Sequence, residues 1–161
     1  MHAPRNLKLP ASIPQDIPDG FKPLPIEAEF VIQNGPFYGR LDEAGIPVMG
    51  FRVEERHTNP AGICHGGMMM TFADMLLAFT VAVAMQGLTF MPTVSLNGDY
   101  VGPSPLGSWV EGRGRVLRLT RSLAFADGLI TADGEPAMRV SGTMKITARQ
   151  THALPLSKMF G

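Results

Sequence analysis

Between Arg56 and Asp99 the chain carries a single Asp, Glu, Lys or Arg, and it is Asp74. Around it runs an apolar stretch from Met68 to Met85. A charge placed in such a stretch is costly to bury unless something uses or compensates it. The stretch has the length of one long helix, and a helix apolar all round is one enclosed by protein. A membrane span of this length is the competing reading. The acid near its middle and the lack of a basic flank on either side argue against it. Just upstream, Asn59-Pro60-Ala61-Gly62-Ile63-Cys64-His65-Gly66-Gly67 forms a polar, glycine-rich approach to the same helix. The two segments together outline a site at the start and middle of one buried helix.

The rest of the chain supplies the cover this helix needs. Its 161 residues suit one domain. Residues 1–25 hold Pro4, Pro10, Pro14, Pro18, Pro23 and Pro25, which exclude helix and central strand and leave an extended arm. A short helix is predicted at 26–33, ended by Asn34-Gly35-Pro36. Strands follow at 37–41 and 47–55, and then the loop 59–67. The helix spans about 67–85. Beyond it come strands at 93–100, 109–119, 122–131 and 136–148, with Asp133-Gly134 as a hairpin turn between the last two. The folded domain is expected over 26–150, and 151–161 as a loose tail. One helix followed by several antiparallel strands gives an α+β fold, a curved antiparallel sheet wrapped around one long central helix.

Composition narrows the function classes. Formal net charge is zero, so no broad basic field recommends nucleic acid. The one cysteine, Cys64, excludes an internal disulfide, and without ligand partners at suitable spacing it argues against a zinc site. No apolar leader stands at the N-terminus. A reducing cytoplasm is the simplest location, with neither nucleic acid nor membrane as partner and no metal.

Three segments carry a family likeness. Asn59, Gly66 and Asp74, with His65-Gly66-Gly67 leading into the helix, are followed by Pro92-Thr93-Val94-Ser95-Leu96-Asn97-Gly98-Asp99-Tyr100 and by Arg121-Ser122-Leu123-Ala124-Phe125-Ala126-Asp127-Gly128. In that order they resemble the hotdog-fold acyl-CoA thioesterases, in particular the PaaI-like branch. The resemblance covers about residues 35–148. It implies hydrolysis of an acyl- or aryl-CoA to the free acid and CoA, with CoA as part of the substrate and no separate cofactor.

The residues assign themselves to the steps of that chemistry. Gly66 and Gly67 stand where a helix leaves its first amides unpaired, and those amides with the positive end of the dipole favour a developing oxyanion. Gly66 N–H is the expected donor and Gly67 lies beside the substrate; a glycine pair needed only for a tight turn is the competing reading. Asp74 is the nucleophile or the general base that activates water, against a structural acid bonded to Ser, Thr or backbone. Asn59 would orient the carbonyl or the water, against a loop Asn before Pro60. Thr93 matches a family position that holds the attacking water, against a Thr suited to a strand start. His65 is a candidate base, although in this motif it serves by bonding backbone or the neighbouring loop. Cys64 reads as a small buried apolar residue. The resemblance puts Tyr100, Arg118, Arg121 and Ser122 along a CoA channel, where Arg forks suit phosphate; Leu119-Thr120 departs from the polar residue and Gly found in relatives, and a solvated basic patch is the alternative. The methionines of the helix read as core and interface.

Asp74 lies eight residues beyond Gly66, roughly 12 Å along a helix axis. One carbonyl cannot touch both on the same helix. Two antiparallel copies side by side would bring Asp74 of one chain to Gly66 of the other, so a two-fold homodimer is expected, and a dimer of dimers beyond it. Two other functions compete: a hotdog hydratase acting on enoyl-CoA, and an acyl-CoA-binding protein without turnover. Against the hydratase, His57 and Gly62 stand where that branch would carry its Asp and His.

Overall fold

Helix α2 (Gly66–Ala84) lies against one antiparallel sheet, and two glycines of the sheet let it come close. A Cβ on Gly112 would meet Leu76 at 2.5 Å, and one on Gly114 would meet the Thr80 hydroxyl at 2.1 Å. A side chain at either position would require Leu76 or Thr80, or the helix that carries them, to shift. The computed structural model describes residues 16–26, 28–87 and 90–147. Residues 1–15 of the arm expected at 1–25, and the tail expected at 151–161, lie outside the described residues.

The sheet is built from β1 (Lys22–Pro23), β2 (Tyr38–Leu41), β3 (Pro47–Arg52), β4 (Thr93–Tyr100), β5 (Trp109–Leu119), β6 (Leu123–Ala132) and β7 (Glu135–Lys145). Its order is β1-β2-β3-β5-β6-β7-β4, antiparallel throughout. After β3 the chain crosses through α2 to the far edge, forms β4 there, and returns to the centre as β5. β4 is therefore an edge strand beside the helix. A short helix α1 (Glu29–Asn34) precedes β2. Phe51 of β3 and Phe72 of α2 pack at 4.9 Å between ring centroids, with Phe37 against both.

The expected elements are present, with shifted ends that have local causes. β3 stops at Arg52 because Glu54–His57 turn into a 3₁₀ segment closed by a reciprocal cap between Glu54 and His57. β6 starts at Leu123 because the Thr120 hydroxyl accepts the N–H groups of Ser122 and Leu123 and closes the hairpin. Asp133 and Gly134 take φ of 48° and 88°, the left-handed pair of a type I′ turn. The proline-rich segment contributes one short piece to the sheet, β1, at the edge where proline is admissible.

α2 is long and apolar enough to cross a membrane by length and composition. In the fold Phe72, Leu76, Leu77, Thr80 and Val81 are buried. Within one chain the enclosure is one-sided. Met70, Thr71, Asp74, Met75 and Ala78, spaced by three and four, form a half-buried stripe.

Candidate active site

Asp74 sits on that stripe and is half-buried rather than enclosed. The first residue of β4 reaches it: the Thr93 hydroxyl donates to Asp74 Oδ1 at 2.6 Å. Thr93 pairs with Met144 of β7, and an irregularity between Thr93 and Ser95 shifts the register there. The carboxylate keeps its second oxygen for other partners.

Nine residues upstream of Asp74, His65 caps α2 with extended backbone (φ −62°, ψ 138°). Its ring Nδ1 accepts the Gly67 N–H at 2.9 Å, and its carbonyl takes the N–H groups of Met68 and Met69. The Gly67 amide is thus occupied by the cap. The Gly66 N–H has no acceptor among the described residues. Tyr100, the last residue of β4, donates its hydroxyl to the Gly66 carbonyl at 2.7 Å. Burial raises the Tyr100 phenol above its ordinary range, with Cys64 adding to the effect, so it remains a donor. Burial pushes the Cys64 thiol up to about 12, which makes it a poor nucleophile.

The loop before the helix is tied down on both sides. Asn59 Oδ1 accepts from Ala61 N at 3.0 Å and from Ile63 N at 3.4 Å, an Asx turn that gives the side-chain oxygen a structural task. The Asn59 Nδ2 group has no bond to the described residues. Cys64 N donates to the Ser104 carbonyl at 2.7 Å and His65 N to the His57 carbonyl at 2.7 Å.

One chain does not bring these groups to a common point. Thr93 and Tyr100 are the two ends of β4, about 23 Å apart at ~3.3 Å per residue. Each binds its own end of the helix segment, so Asp74 and Gly66 remain apart. Arg118, Arg121 and Ser122 lie at the exposed β5–β6 hairpin. Through the register Leu119–Ala124–Met144–Thr93 this hairpin shares the Thr93 end of the sheet. A shift between Val116 and Arg118 puts Arg118 opposite Phe125, in the file of Asp127, which pairs with Arg115 on the face away from α2. On that face a depression of about 710 Å³ is lined by Arg113, Arg115, Asp127 and Arg139. Arg113, Arg115 and Arg139 are ion-paired there with Asp42, Asp127 and Asp99, and none of the candidate residues lines it. No cluster of His, Cys, Asp or Glu suited to a metal occurs among the described residues.

The sequence assigned Arg56 and His57 no part in the site, His57 entering only as a departure from the hydratase pattern. Arg56 donates to the carbonyls of Gln33 and Gly35, and His57 Nε2 contacts the carbonyl of Asn34 at 3.0 Å. The signal was a lone histidine inside Glu54-Glu55-Arg56-His57, next to the loop that carries Asn59.

With this geometry in view, the comparisons with known proteins are specific. Residues 61–138, from the loop before α2 into β7, match the family model described as thioesterase superfamily. A Pseudomonas aeruginosa protein bearing an esterase name, PA0474, is 31% identical over 131 residues, 81% of this chain and 98% of its own. Human acyl-coenzyme A thioesterase 13 is 31% identical over 81 residues, 50% of this chain and 57% of that protein. Among solved structures, a mutant of the phenylacetic acid degradation protein PaaI from Thermus thermophilus superposes with TM-score 0.64 at 23% identity, over 74% of this chain and all of its own. A Streptococcus pneumoniae thioesterase-named protein solved with coenzyme A gives TM-score 0.62 at 20% identity, over 71% and 88%. Sheet, helix and chain order are those of the hotdog fold, and this chain belongs to the thioesterase superfamily.

Proposed function

We propose that this protein hydrolyses the thioester of an acyl- or aryl-CoA, giving the free acid and CoA. The observation that carries the reading is Asp74, the one acid of the helix, held by the Thr93 hydroxyl on a face open to a ligand. Family membership supports thioester chemistry. The coenzyme A held by the streptococcal neighbour and the name of the human relative support the leaving group.

In this reading the Gly66 N–H, with the positive end of the helix behind it, binds the thioester oxygen as charge develops there. Asp74 attacks the carbonyl carbon or takes a proton from water that does; the C–S bond then breaks, and the thiolate of CoA leaves and is protonated. Where Asp74 itself attacks, water then hydrolyses the mixed anhydride, which frees the acid and restores the carboxylate. Thr93 fixes the carboxylate and, with the Asn59 amide, orients the water or the carbonyl. Tyr100 holds the Gly66 carbonyl, and with Arg118, Arg121 and Ser122 it lines the path of the CoA moiety. No cofactor beyond the substrate's CoA enters the chemistry.

The site is completed by a second copy. The half-buried stripe of α2 lies beside the open edge of β4, where Val94, Tyr100 and Val101 are 60%, 54% and 58% exposed. A two-fold partner covering this edge places its Asp74 against Gly66 of the first chain. A dimer of such dimers in a reducing cytoplasm completes the reading. The test is a panel of aliphatic and aromatic acyl-CoAs, with thiol release followed for the wild type and Asp74→Ala. Loss of about 10²–10⁴ in kcat for the variant is expected; equal rates would remove the assignment. Tight CoA-ester binding without thiol release would select a binding protein instead.

A further inference from the structure

The loop that presents Gly66 is anchored through a buried histidine outside the catalytic set. His57 is 4% exposed. Its Nδ1 accepts the backbone N–H of Glu54 at 3.0 Å, and its Nε2 faces the carbonyl of Asn34, at the end of α1, at 3.0 Å. A backbone N–H only donates and a carbonyl only accepts. The ring is therefore neutral, with its proton on Nε2. The carbonyl of this same residue accepts the His65 N–H at 2.7 Å, and Thr58 bridges to Cys64 just beyond. His65 is the cap whose next residue is Gly66. Two ring bonds thus fix the carbonyl that fixes the cap.

We infer that His57 is a positioning residue for the Gly66 amide, and that only its neutral form holds the loop in the geometry hydrolysis requires. This rests on the reading of Gly66 N–H as the donor to the thioester oxygen. A protonated ring carries a hydrogen on Nδ1 and cannot accept from Glu54 N–H, so the Glu54–His57 closure opens. The groups facing the ring are consistent with a neutral state. Burial lowers its pKa first and the neighbouring Arg56 adds to that, while the Glu54 carboxylate and the carbonyls of Asn34 and Arg52 act the other way. From β3 the ring meets the edge of Phe51, at 5.5 Å, besides the carbonyl of Arg52. Asn59 and His65 are thereby coupled to the ionisation of a residue that touches no substrate.

Two variants and one measurement on the unaltered protein test this. His57→Asn puts an amide oxygen where Nδ1 stood, keeps the Glu54 bond and cannot titrate; His57→Leu keeps volume and neither bond. For His57→Leu, kcat is expected to fall about tenfold with KM unchanged, and His57→Asn to recover most of it. The acid limb of kcat should lose one ionisation in His57→Asn relative to wild type; a carboxylate in the site titrates too, so the difference between the profiles is the readout. Identical profiles, or a His57→Leu enzyme with wild-type kcat, would overturn the assignment. Should either variant not fold, NMR on the wild type decides: the Gly66 amide shift should follow the His57 ring titration, and a Gly66 amide indifferent to it overturns the proposal. If the wild type cleaves no acyl-CoA, the thioesterase reading fails by itself, and the Gly66 shift still reports on His57.

Discussion

Thr93 has one proton to give and directs it to Asp74, so the carboxylate is fixed in rotation without being neutralised. A hydrogen bond to a charged acceptor contributes about 1.5–3 kcal/mol, and the exposure of Thr93 puts this one at the lower end. Thr93→Val, which keeps shape and removes the hydroxyl, should lower kcat about tenfold, while Thr93→Ser stays near wild type. Steady-state kinetics on one good substrate checks both; a Val variant at full rate would reduce Thr93 to a strand residue. Asp74 and Gly66 were legible because each breaks a local rule, a charge in an apolar run and glycine at a helix start. The bond between Tyr100 and the Gly66 carbonyl was not legible. It depends on β4 crossing to the sheet edge beside α2, which residue spacing does not encode. The face of Arg118 was hidden for a similar reason, since one register shift after Val116 changes the side on which an alternating strand presents its residues.

At the scale of elements, α2 is set by its contacts with β5. Gly112 and Gly114 lie under Leu76 and Thr80, and the Thr80 hydroxyl is already engaged with the Leu76 carbonyl at 2.8 Å. Gly114→Val must push the helix outward, and overpacking of this kind costs about 1–3 kcal/mol. Thermal unfolding should show a clearly lowered Tm, and unchanged stability would mean the helix has room to yield. The strand limits of β4 and β5 could be read from the chain because Gly102-Pro103 and the alternation of β5 mark them. The end of β3 could not, because Glu54–His57 close a turn by a side-chain bond over three residues. That turn also has a pH signature in stability. The His57 pKa is lowered in the fold relative to its ordinary 6.5, so between the two values the unfolded chain binds the extra proton. Stability is greatest above the unfolded value and falls as pH drops through 6.5 toward the folded value. Denaturant midpoints measured from pH 7.5 down to 5 should decline in the wild type and decline less in His57→Asn; parallel curves would show that the ring does not titrate in this window.

For the whole molecule, the question is which chains share a site. Within one chain β4 ties Asp74 and Gly66 to its opposite ends, and the open stripe of α2 runs beside the open edge of β4. If two chains complete each site, two inactive variants should restore one another. Asp74→Ala removes the acid. Gly66→Pro removes the donor at little cost to the fold: proline is well accepted at the first helical position, and His65 at ψ 138° already has the backbone that precedes proline. The added ring must displace the Tyr100 hydroxyl, which a Cβ would meet at 3.2 Å, by a few tenths of an ångström. In a mixed dimer one site collects both defects and the other has neither. Random exchange makes half the dimers mixed, so a one-to-one mixture, dissociated and reassociated, should recover about a quarter of wild-type activity. Neither variant alone should recover any under the same treatment, and the recovered activity should appear in the dimer fraction on sizing. A mixture no more active than its parents, with subunit exchange verified by mass-tagged chains, would place Asp74 and Gly66 in the same chain's site and require a rearrangement of α2 against β4.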